Sequence, residues 1–244
     1  MYLKEPKYSI TIAISTVGKR LNDALNMAKN LDKSEDVEIL IIHQTSKEAC
    51  FEKIKLKTKA RYLSSNKVGA AASRNIALSE AHGEYIWFMD DDILLADNAV
   101  SIIRTIIKNQ NFDLAIVGIL CTNDFLPFII NTDKIDNLVG SMDYYQISKV
   151  GTPQIIVRSD FGRKAIFPEN YGAGTSQGIG DEPIYLSRLL KNECKAIQIK
   201  ANFMKHPMVS SGDVHKYKIK LRLKLYFKIY GLRGFIIFLF KRIF

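Results

Sequence analysis

Between Tyr8 and about Leu120 the chain alternates short apolar runs with longer amphipathic segments, and this alternation restricts the possible folds more than any other part of the sequence. The short runs have the length and composition of β-strands, and the longer segments have helical periodicity. The predicted strands are Ser9–Ser15, Val37–His43, Ala60–Ser64, Glu84–Met89 and Asp113–Leu120, and the predicted helices are 20–31, 48–57, 69–82 and 97–109. Because parallel strands need crossover connections of this kind, the pattern predicts an α/β fold with a mostly parallel, Rossmann-like sheet and helices on both faces.

After Leu120 this rhythm is lost. The elements predicted there are a glycine-rich stretch over Gly172–Glu182, a short helix over Pro183–Asn192 and a strand over Lys195–Ile199. The chain has 244 residues, of which 47% are hydrophobic, and this is enough to bury one large core. We therefore interpret 1–120 and 121–215 as two halves of one domain, followed by a tail, 216–244.

The positive charge is concentrated in the tail. The net charge of the chain is +10, and nine basic residues and no acidic ones lie between Lys216 and Phe244, so the rest of the chain carries only +1. A nearly neutral body argues against an extended groove for the phosphate backbone of a nucleic acid, and no nucleic-acid partner is expected. The tail has no run of about 18 uncharged apolar residues, so it is predicted to lie on an anionic membrane surface and not to cross the bilayer.

The cysteines and the first residues bear on the compartment. The three cysteines lie far apart without a CxxC pair, which predicts neither a disulfide framework nor a structural zinc site and favours a reducing environment. The first 16 residues lack the pattern of a secretion signal. Together with the basic tail, these features predict a cytoplasmic protein that is peripheral on the inner face of the membrane.

Three consecutive carboxylates, Asp90, Asp91 and Asp92, follow the predicted strand EYIWFM. Ligands of parallel sheets bind at the carboxyl ends of the strands. On an extended chain, side chains two residues apart point the same way at a spacing of about 6–7 Å, so Asp90 and Asp92 are expected to face one spot. All-oxygen ligands favour Mg²⁺ or Mn²⁺ bridging to a phosphate. A solvated acidic turn before a helix capped by Asp97 explains the triplet equally well.

The predicted helix 69–82 carries an arginine on its apolar face. Arg74 falls in the middle of a face formed by Ala70, Ala71, Ala77, Leu78 and Ala81. A guanidinium on the core side needs an anionic partner, and both the aspartate triplet and a nucleotide diphosphate are candidates. A purely structural salt bridge to one of the aspartates is the alternative.

These motifs occur together in a known pattern. The run NKVGAAASRNIALSEAHGEYIWFMDDDILL, after the opening strand ITIAIST, resembles the nucleotide-sugar-binding half of glycosyltransferase family two, whose members are inverting enzymes of the GT-A fold. The resemblance covers about 8–110 well and 151–215 more loosely. It implies that 1–120 binds the nucleotide sugar and that 121–215 binds the acceptor.

The resemblance also assigns roles to individual residues. It implies that the nucleotide sugar is bound by Thr16, Gln44, Arg74, Asp90 and Asp91, and that Mn²⁺ or Mg²⁺ is bound by Asp92 and Asp90 with His206 as a third ligand. Gln44 stands beside His43 where the family usually has an aspartate that reads the base. Because an amide both donates and accepts hydrogen bonds, the identity of the base stays open.

The acidic pair Asp181-Glu182 follows the glycine-rich stretch. The resemblance implies that the second carboxylate, Glu182, deprotonates the acceptor hydroxyl while Asp181 assists or substitutes for it. The alternative is structural, with Asp181 as the N-cap of a helix and Glu182 favoured by the helix dipole.

The function implied is metal-dependent, inverting transfer of a sugar from a nucleotide-sugar donor to a hydroxyl. The basic tail and the resemblance favour a lipid-linked saccharide acceptor in surface polysaccharide synthesis, such as capsule or O-antigen assembly. Two rivals remain at this stage. One is a sugar-phosphate nucleotidyltransferase, for which the segment STVGKRL is a poor match. The other is a non-catalytic adaptor that uses the basic tail on a membrane or nucleic acid.

Overall fold

The computed structural model describes residues 6–31, 35–45, 58–131, 139–142, 144–208, 218–234 and 236. The helix predicted over 48–57 lies outside these residues. The strands are β1 (Tyr8–Val17), β2 (Val37–Gln44), β3 (Arg61–Ser65), β4 (Gly83–Asp90), β5 (Leu94–Leu95), β6 (Leu114–Cys121), β7 (Val139–Ser141), β8 (Ile155–Arg158) and β9 (Ala196–His206). The α-helices are α1 (Leu21–Leu31), α2 (Ala70–Glu80), α3 (Ala99–Asn109), α4 (Ser159–Gly162), α5 (Asp181–Leu189) and α6 (Lys218–Tyr230), with 3₁₀ turns at Gly18–Arg20, Tyr144–Lys149 and Thr152–Gln154.

The described strands form one nine-stranded sheet in the order β3-β2-β1-β4-β8-β6-β9-β5, and β7 also pairs with β9. The long ladders are parallel: β1 with β2, β1 with β4, β2 with β3, and β6 with β9. The predicted α/β architecture is confirmed. One difference is β8, which comes from the second half and runs antiparallel between β4 and β6. The two halves therefore share a single sheet.

Helices cover both faces of the sheet, as predicted. On one face α1 and α3 pack on Ile10, Ile12, Ile14 and Trp87. On the other face α2 and α5 pack on Ala13, Leu40, Ile86 and Phe88. The alternation along β1 and β4 sends successive side chains to opposite faces, so both faces are apolar. Trp87 is fully buried, and its indole N–H donates to the carbonyl of Pro153 at 2.8 Å.

The tail contributes a helix to the apolar core on the second of these faces, where α2 and α5 pack. The sequence left its conformation open between a strand-like alternation and a helix, and the structure has α6 over Lys218–Tyr230. Leu225 and Ile229, one turn apart, are buried in the second core, whereas Ile219 and Phe227 are exposed. Within the described part of the chain, every helix is too short or too polar to cross a membrane.

Candidate active site

The carboxyl ends of β1 and β4 form the edge of the sheet at which the acidic residues lie. The two strands are parallel neighbours, and Ser15 is opposite Asp90 in their register. β4 ends at Asp90, and the next two residues form a turn. The expectation that Asp90 and Asp92 face one spot assumed an extended chain, whereas the strand ends at Asp90. The two carboxylates are nevertheless close enough to interact: burial raises the pKa of Asp90, Arg74 opposes this, and the charge of Asp92 raises it further. Asp90 lies 3.6 Å from Arg74, whereas Asp92 lies 3.1 Å from Arg20.

Asp91 is the buried member of the triplet. Thr16 Oγ1 donates to Asp91 Oδ2 at 2.6 Å, and Arg20 contacts Asp91 Oδ1. Burial raises the pKa of Asp91 to about 6, against the opposing effects of Thr16 and Arg20, and the neighbouring carboxylates raise it further. Two of the five predicted nucleotide-sugar ligands, Thr16 and Asp91, are therefore hydrogen-bonded to each other in this structure.

Arg20 was not among the predicted site residues. Its guanidinium bridges Asp91 and Asp92, although partial burial works against its charge, and the two carboxylates raise its pKa overall. The sequence signal that could have found it is the arginine in STVGKRL, directly after β1. Because β1 lies beside β4, a residue that follows β1 meets residues that follow β4.

Asp92 and His206 lie side by side at the end of β9. His206 Nε2 is 3.7 Å from Asp92 Oδ1, and this oxygen is buried without a hydrogen-bond partner among the described residues. His206 Nδ1 is 2.7 Å from the carbonyl oxygen of Pro207. Since a carbonyl only accepts, Nδ1 carries a proton, and Nε2 is the ring nitrogen that faces Asp92.

A buried arginine connects the aspartate turn to the acidic pair. Arg74 Nη1 contacts Asp181 Oδ2 and lies 3.2 Å from Glu182 Oε1, and its Nη2 faces Asp90. Arg74 is buried on α2, as its place on the apolar face predicts. Burial opposes its charge, but the three carboxylates outweigh this and raise the pKa of Arg74. Residues far apart in sequence are thus joined by one cation.

The two carboxylates of the acidic pair differ in environment. Burial, and then the neighbouring charge of Glu182, raise the pKa of Asp181. Burial also acts on Glu182, but Arg74 and the hydrogen bonds from Asp181 and Thr152 outweigh it and lower the pKa of Glu182. Thr152 Oγ1, which the sequence analysis missed, donates to Glu182 Oε1 at 2.7 Å. Glu182 is therefore the member that stays ionised at neutral pH.

The helix that carries this pair starts earlier than predicted. α5 begins at Asp181 and ends at Leu189, and its N-cap is Gly180, with a φ of 106°. The alternative in which Asp181 caps the helix is therefore wrong. Gly180 suits this position because its left-handed backbone disfavours a side chain. Asp181 also fills the space beside Gly172, where any Cβ would collide with its carboxylate.

Gln44 belongs to the wall of the site in this structure. Its Oε1 accepts a hydrogen bond from the backbone N–H of Gly69 at 2.8 Å. The next residue, Ala70, donates its N–H to the carbonyl of Ala173 at 3.0 Å, so the glycine-rich loop rests on the start of α2. His43 is buried, and its Nδ1 lies 2.8 Å from the hydroxyl of Tyr62.

The predicted metal ligands are only partly brought together. Across the described ranges, His, Cys, Asp and Glu side chains form no group of three that could hold a metal ion. Asp92 and His206 are adjacent, but Asp90 is turned toward Arg74. Asp92 Oδ1, which has no hydrogen-bond partner among the described residues, and His206 Nε2 fit a divalent cation as a two-ligand site, with the remaining positions open. The metal-binding role of Asp90 stays a prediction.

Comparison with known proteins decides the family. A family model described as "Glycosyl transferase family 2" matches residues 9–167, which is more than half of the chain. The chain belongs to glycosyl transferase family 2. The predicted family resemblance is thereby confirmed. The family 2 match includes Arg74 and the aspartate turn, but it ends before Asp181 and Glu182.

Similar proteins cover more of the chain than the family model does. Cholesterol galactosyltransferase of Borreliella burgdorferi is 26% identical over 202 residues, which is 78% of this chain and 51% of the relative. The chain thus spans about half the length of this curated relative. S. aureus TarS 1-349 superposes with a TM-score of 0.62 at 12% identity, over 94% of this chain and 70% of that one. Its complex with UDP-GlcNAc gives a TM-score of 0.61 at 13% identity, over 93% and 70%. At these identities the likeness establishes the GT-A fold alone.

Proposed function

We propose that this protein transfers a sugar, with inversion at the anomeric carbon, from a nucleotide-sugar donor to an acceptor hydroxyl. The observation that carries the proposal is the meeting of two acidic groups at one edge of the sheet. Arg74 contacts both Asp90 of the aspartate turn and Glu182 of the acidic pair. Family 2 membership and the solved complex of a fold relative with UDP-GlcNAc support a nucleotide sugar as the donor.

A divalent cation fits beside the aspartate turn. Asp92 Oδ1 and His206 Nε2 are the groups that would hold it, with diphosphate oxygens completing the set. When bound, Mn²⁺ or Mg²⁺ would neutralise the negative charge that develops on the departing diphosphate. Imidazole in the ligand set favours Mn²⁺.

The proton is taken by Glu182. In a single displacement the acceptor oxygen bonds to the anomeric carbon from the face opposite the diphosphate, and the bond to the diphosphate breaks with its electron pair. The hydroxyl proton passes to the Glu182 carboxylate. Arg74 and Thr152 favour the ionised form of Glu182 and hold it in one place. Asp181 shares Arg74 with Glu182 and positions it.

The acceptor we propose is membrane-borne and partly apolar. The curated relative is named for galactosyl transfer to cholesterol, and this supports a lipid acceptor, including a lipid-linked saccharide of a surface polysaccharide. Phe125, Leu126 and Ile129 are exposed beyond β6, where Thr122 donates its N–H to the carbonyl of His206 at 2.9 Å. These apolar side chains lie on the segment next to the proposed cation ligand.

The test of the transfer reaction is a panel of UDP-, GDP- and dTDP-sugars with Mn²⁺, with release of nucleoside diphosphate as the signal. We expect one donor to be consumed, and Asp92→Asn and Glu182→Gln to lose this activity while remaining folded. Glu84→Gln is the matched control, because Glu84 is exposed near the opposite end of β4 from Asp90. A blank across the whole panel would contradict the proposal. Diphosphate release from a nucleoside triphosphate and a sugar phosphate would point to the nucleotidyltransferase instead.

Membrane association is tested separately. α6 presents Lys220, Arg222 and Lys224 to solvent, near the exposed Ile219 and Phe227. We expect the protein to float with anionic vesicles, and replacement of the three basic residues by Glu to abolish flotation. The same charge change at the exposed residues Lys108, Lys191 and Lys200 is the control and should leave flotation intact. A protein that stays in solution with anionic vesicles contradicts the membrane proposal only.

A further inference from the structure

Arg20 contacts the same carboxylate, Asp92, to which the proposed function assigns a divalent cation. It lies on the 3₁₀ turn Gly18–Arg20, directly after β1. Since β1 and β4 are parallel neighbours, this turn and the aspartate turn come out at the same edge of the sheet. Arg20 Nη2 contacts Asp91 Oδ1 and lies 3.1 Å from Asp92 Oδ2.

The two carboxylates are held differently. Asp91 is fixed from both sides, because Thr16 donates to its Oδ2 while Arg20 contacts its Oδ1. Asp92 has Oδ2 facing Arg20 and Oδ1 facing His206 Nε2 at 3.7 Å, without a hydrogen bond to that oxygen from the described residues. The guanidinium therefore shares one carboxylate with the group that fits a metal ion.

The geometry points to Arg20 as a positioning residue that competes with the divalent cation for the Asp92 carboxylate. This inference rests on the proposed function. A guanidinium at Oδ2 repels a second cation at Oδ1, so the metal binds weakly while Arg20 is in place. The side chain is half-exposed on a short turn, and it can turn to the diphosphate of the donor, which offers its planar fork two oxygens. Cation binding is then coupled to the arrival of the diphosphate.

The test measures binding of Mn²⁺ alone, by the electron paramagnetic resonance signal of the free ion, to the full chain without nucleotide. Arg20→Ala removes the competitor, and we expect Mn²⁺ affinity to rise roughly five- to tenfold. Arg20→Lys keeps the charge and should return the affinity toward the original value. Lys19→Ala is the matched control, since Lys19 is exposed on the same turn, and its affinity should not change. Adding UDP should tighten Mn²⁺ binding more in the original protein than in Arg20→Ala.

Four results overturn the inference. Mn²⁺ affinity that is unchanged or weaker in Arg20→Ala excludes competition. An equal rise in affinity in Lys19→Ala would mean that the effect comes from the net charge of the protein and not from the position of Arg20. If the higher Mn²⁺ affinity of Arg20→Ala persists after Asp92→Asn is added, Asp92 is not the carboxylate for which Arg20 and Mn²⁺ compete. Arg20→Met, which keeps the apolar stem, replaces Arg20→Ala if circular dichroism finds that variant unfolded. Absence of Mn²⁺ binding in every variant also overturns the inference, whereas sugar transfer is judged by the donor panel alone.

Discussion

Two arginines neutralise acidic groups in the candidate active site, Arg74 and Arg20, and water reaches their side chains to very different extents. The side chain of Arg74 is 6% exposed and contacts Asp181 and Glu182, whereas that of Arg20 is 46% exposed and contacts Asp91 and Asp92. Removing a buried cation leaves buried carboxylates without compensation, whereas a pair whose cation is half-exposed to water contributes less to stability. The difference indicates that the fold requires the ion pairs of Arg74 for its stability, whereas Arg20 can exchange its carboxylate partners for other ligands.

The largest expected effect is on folding stability. Arg74→Ala should lower the free energy of unfolding by about 3–5 kcal/mol, because it strands the carboxylates around it. Arg20→Ala should lower it by less than about 1 kcal/mol. Urea denaturation of the two variants measures the contrast, and equal losses would abolish the distinction between a fixed and an exchangeable arginine.

Substitutions of the two carboxylates that contact Arg74, Asp181 and Glu182, should lower kcat to different extents. Glu182→Gln should lower kcat by about 10²- to 10⁴-fold, the usual contribution of a general base. Asp181→Asn should lower it by less than about tenfold, because an amide resembles the neutral carboxyl that burial favours at this position. Initial rates with the donor found in the panel provide the measurement. The reverse order would assign the proton to Asp181.

The packing behind the acidic pair is tested at α6. A Cβ at Gly180 would lie 2.8 Å from Leu225 Cδ1, so Leu225 packs directly on the residue before Asp181. Leu225→Ala should cost about 2–4 kcal/mol of stability through the cavity that it leaves. Leu232→Ala is the control, since Leu232 is 84% exposed, and it should stay within about 0.5 kcal/mol. Equal thermal shifts in the two variants would mean that α6 does not support the pair.

The smallest expected effect is a pH dependence on the Arg20 side. The pKa of Asp91 is about 6 in the folded protein, above the value of roughly 3.9 in an unfolded chain. The folded state therefore binds the proton more tightly, so this contribution to stability is complete below about pH 4 and is lost as the pH rises through 6. In metal-free protein the loss should reach about 3 kcal/mol at most, and Asp91→Asn should remove it. Parallel stability curves for the two proteins would show that Asp91 titrates normally.

Local patterns explain why much of the site could be predicted from the sequence. Arg74 stands out because helical periodicity places a charge among alanines, and the aspartate triplet stands out because it ends an apolar strand. Both signals depend on residues within a few positions. The strands β1, β2, β3, β4 and β6 were predictable for the same reason, with bounds that differ by only a few residues.

The site role of Arg20 and the place of β8 in the sheet could not be predicted, because both depend on contacts between distant parts of the chain. The partners of Arg20 follow another strand, so only the pairing of β1 with β4 reveals them. β8 pairs with β4 and β6 over three residues each, which is too short a run to fix its place from composition. The partners of the aspartate turn likewise come from elsewhere in the chain, since Arg74 contacts Asp90 and Arg20 contacts Asp92.

The packing of α6 has a consequence for how the molecule is made. Leu225 packs on Gly180, Lys228 Nζ donates to the hydroxyl of Tyr171 at 3.2 Å, and the Tyr144 hydroxyl donates to the carbonyl of Ile229 at 3.2 Å. Because synthesis proceeds from the N-terminus, the strands that bring Arg20 to the aspartate turn leave the ribosome well before this helix. The surroundings of Glu182 are therefore completed last, when the helix that supports them has itself been translated.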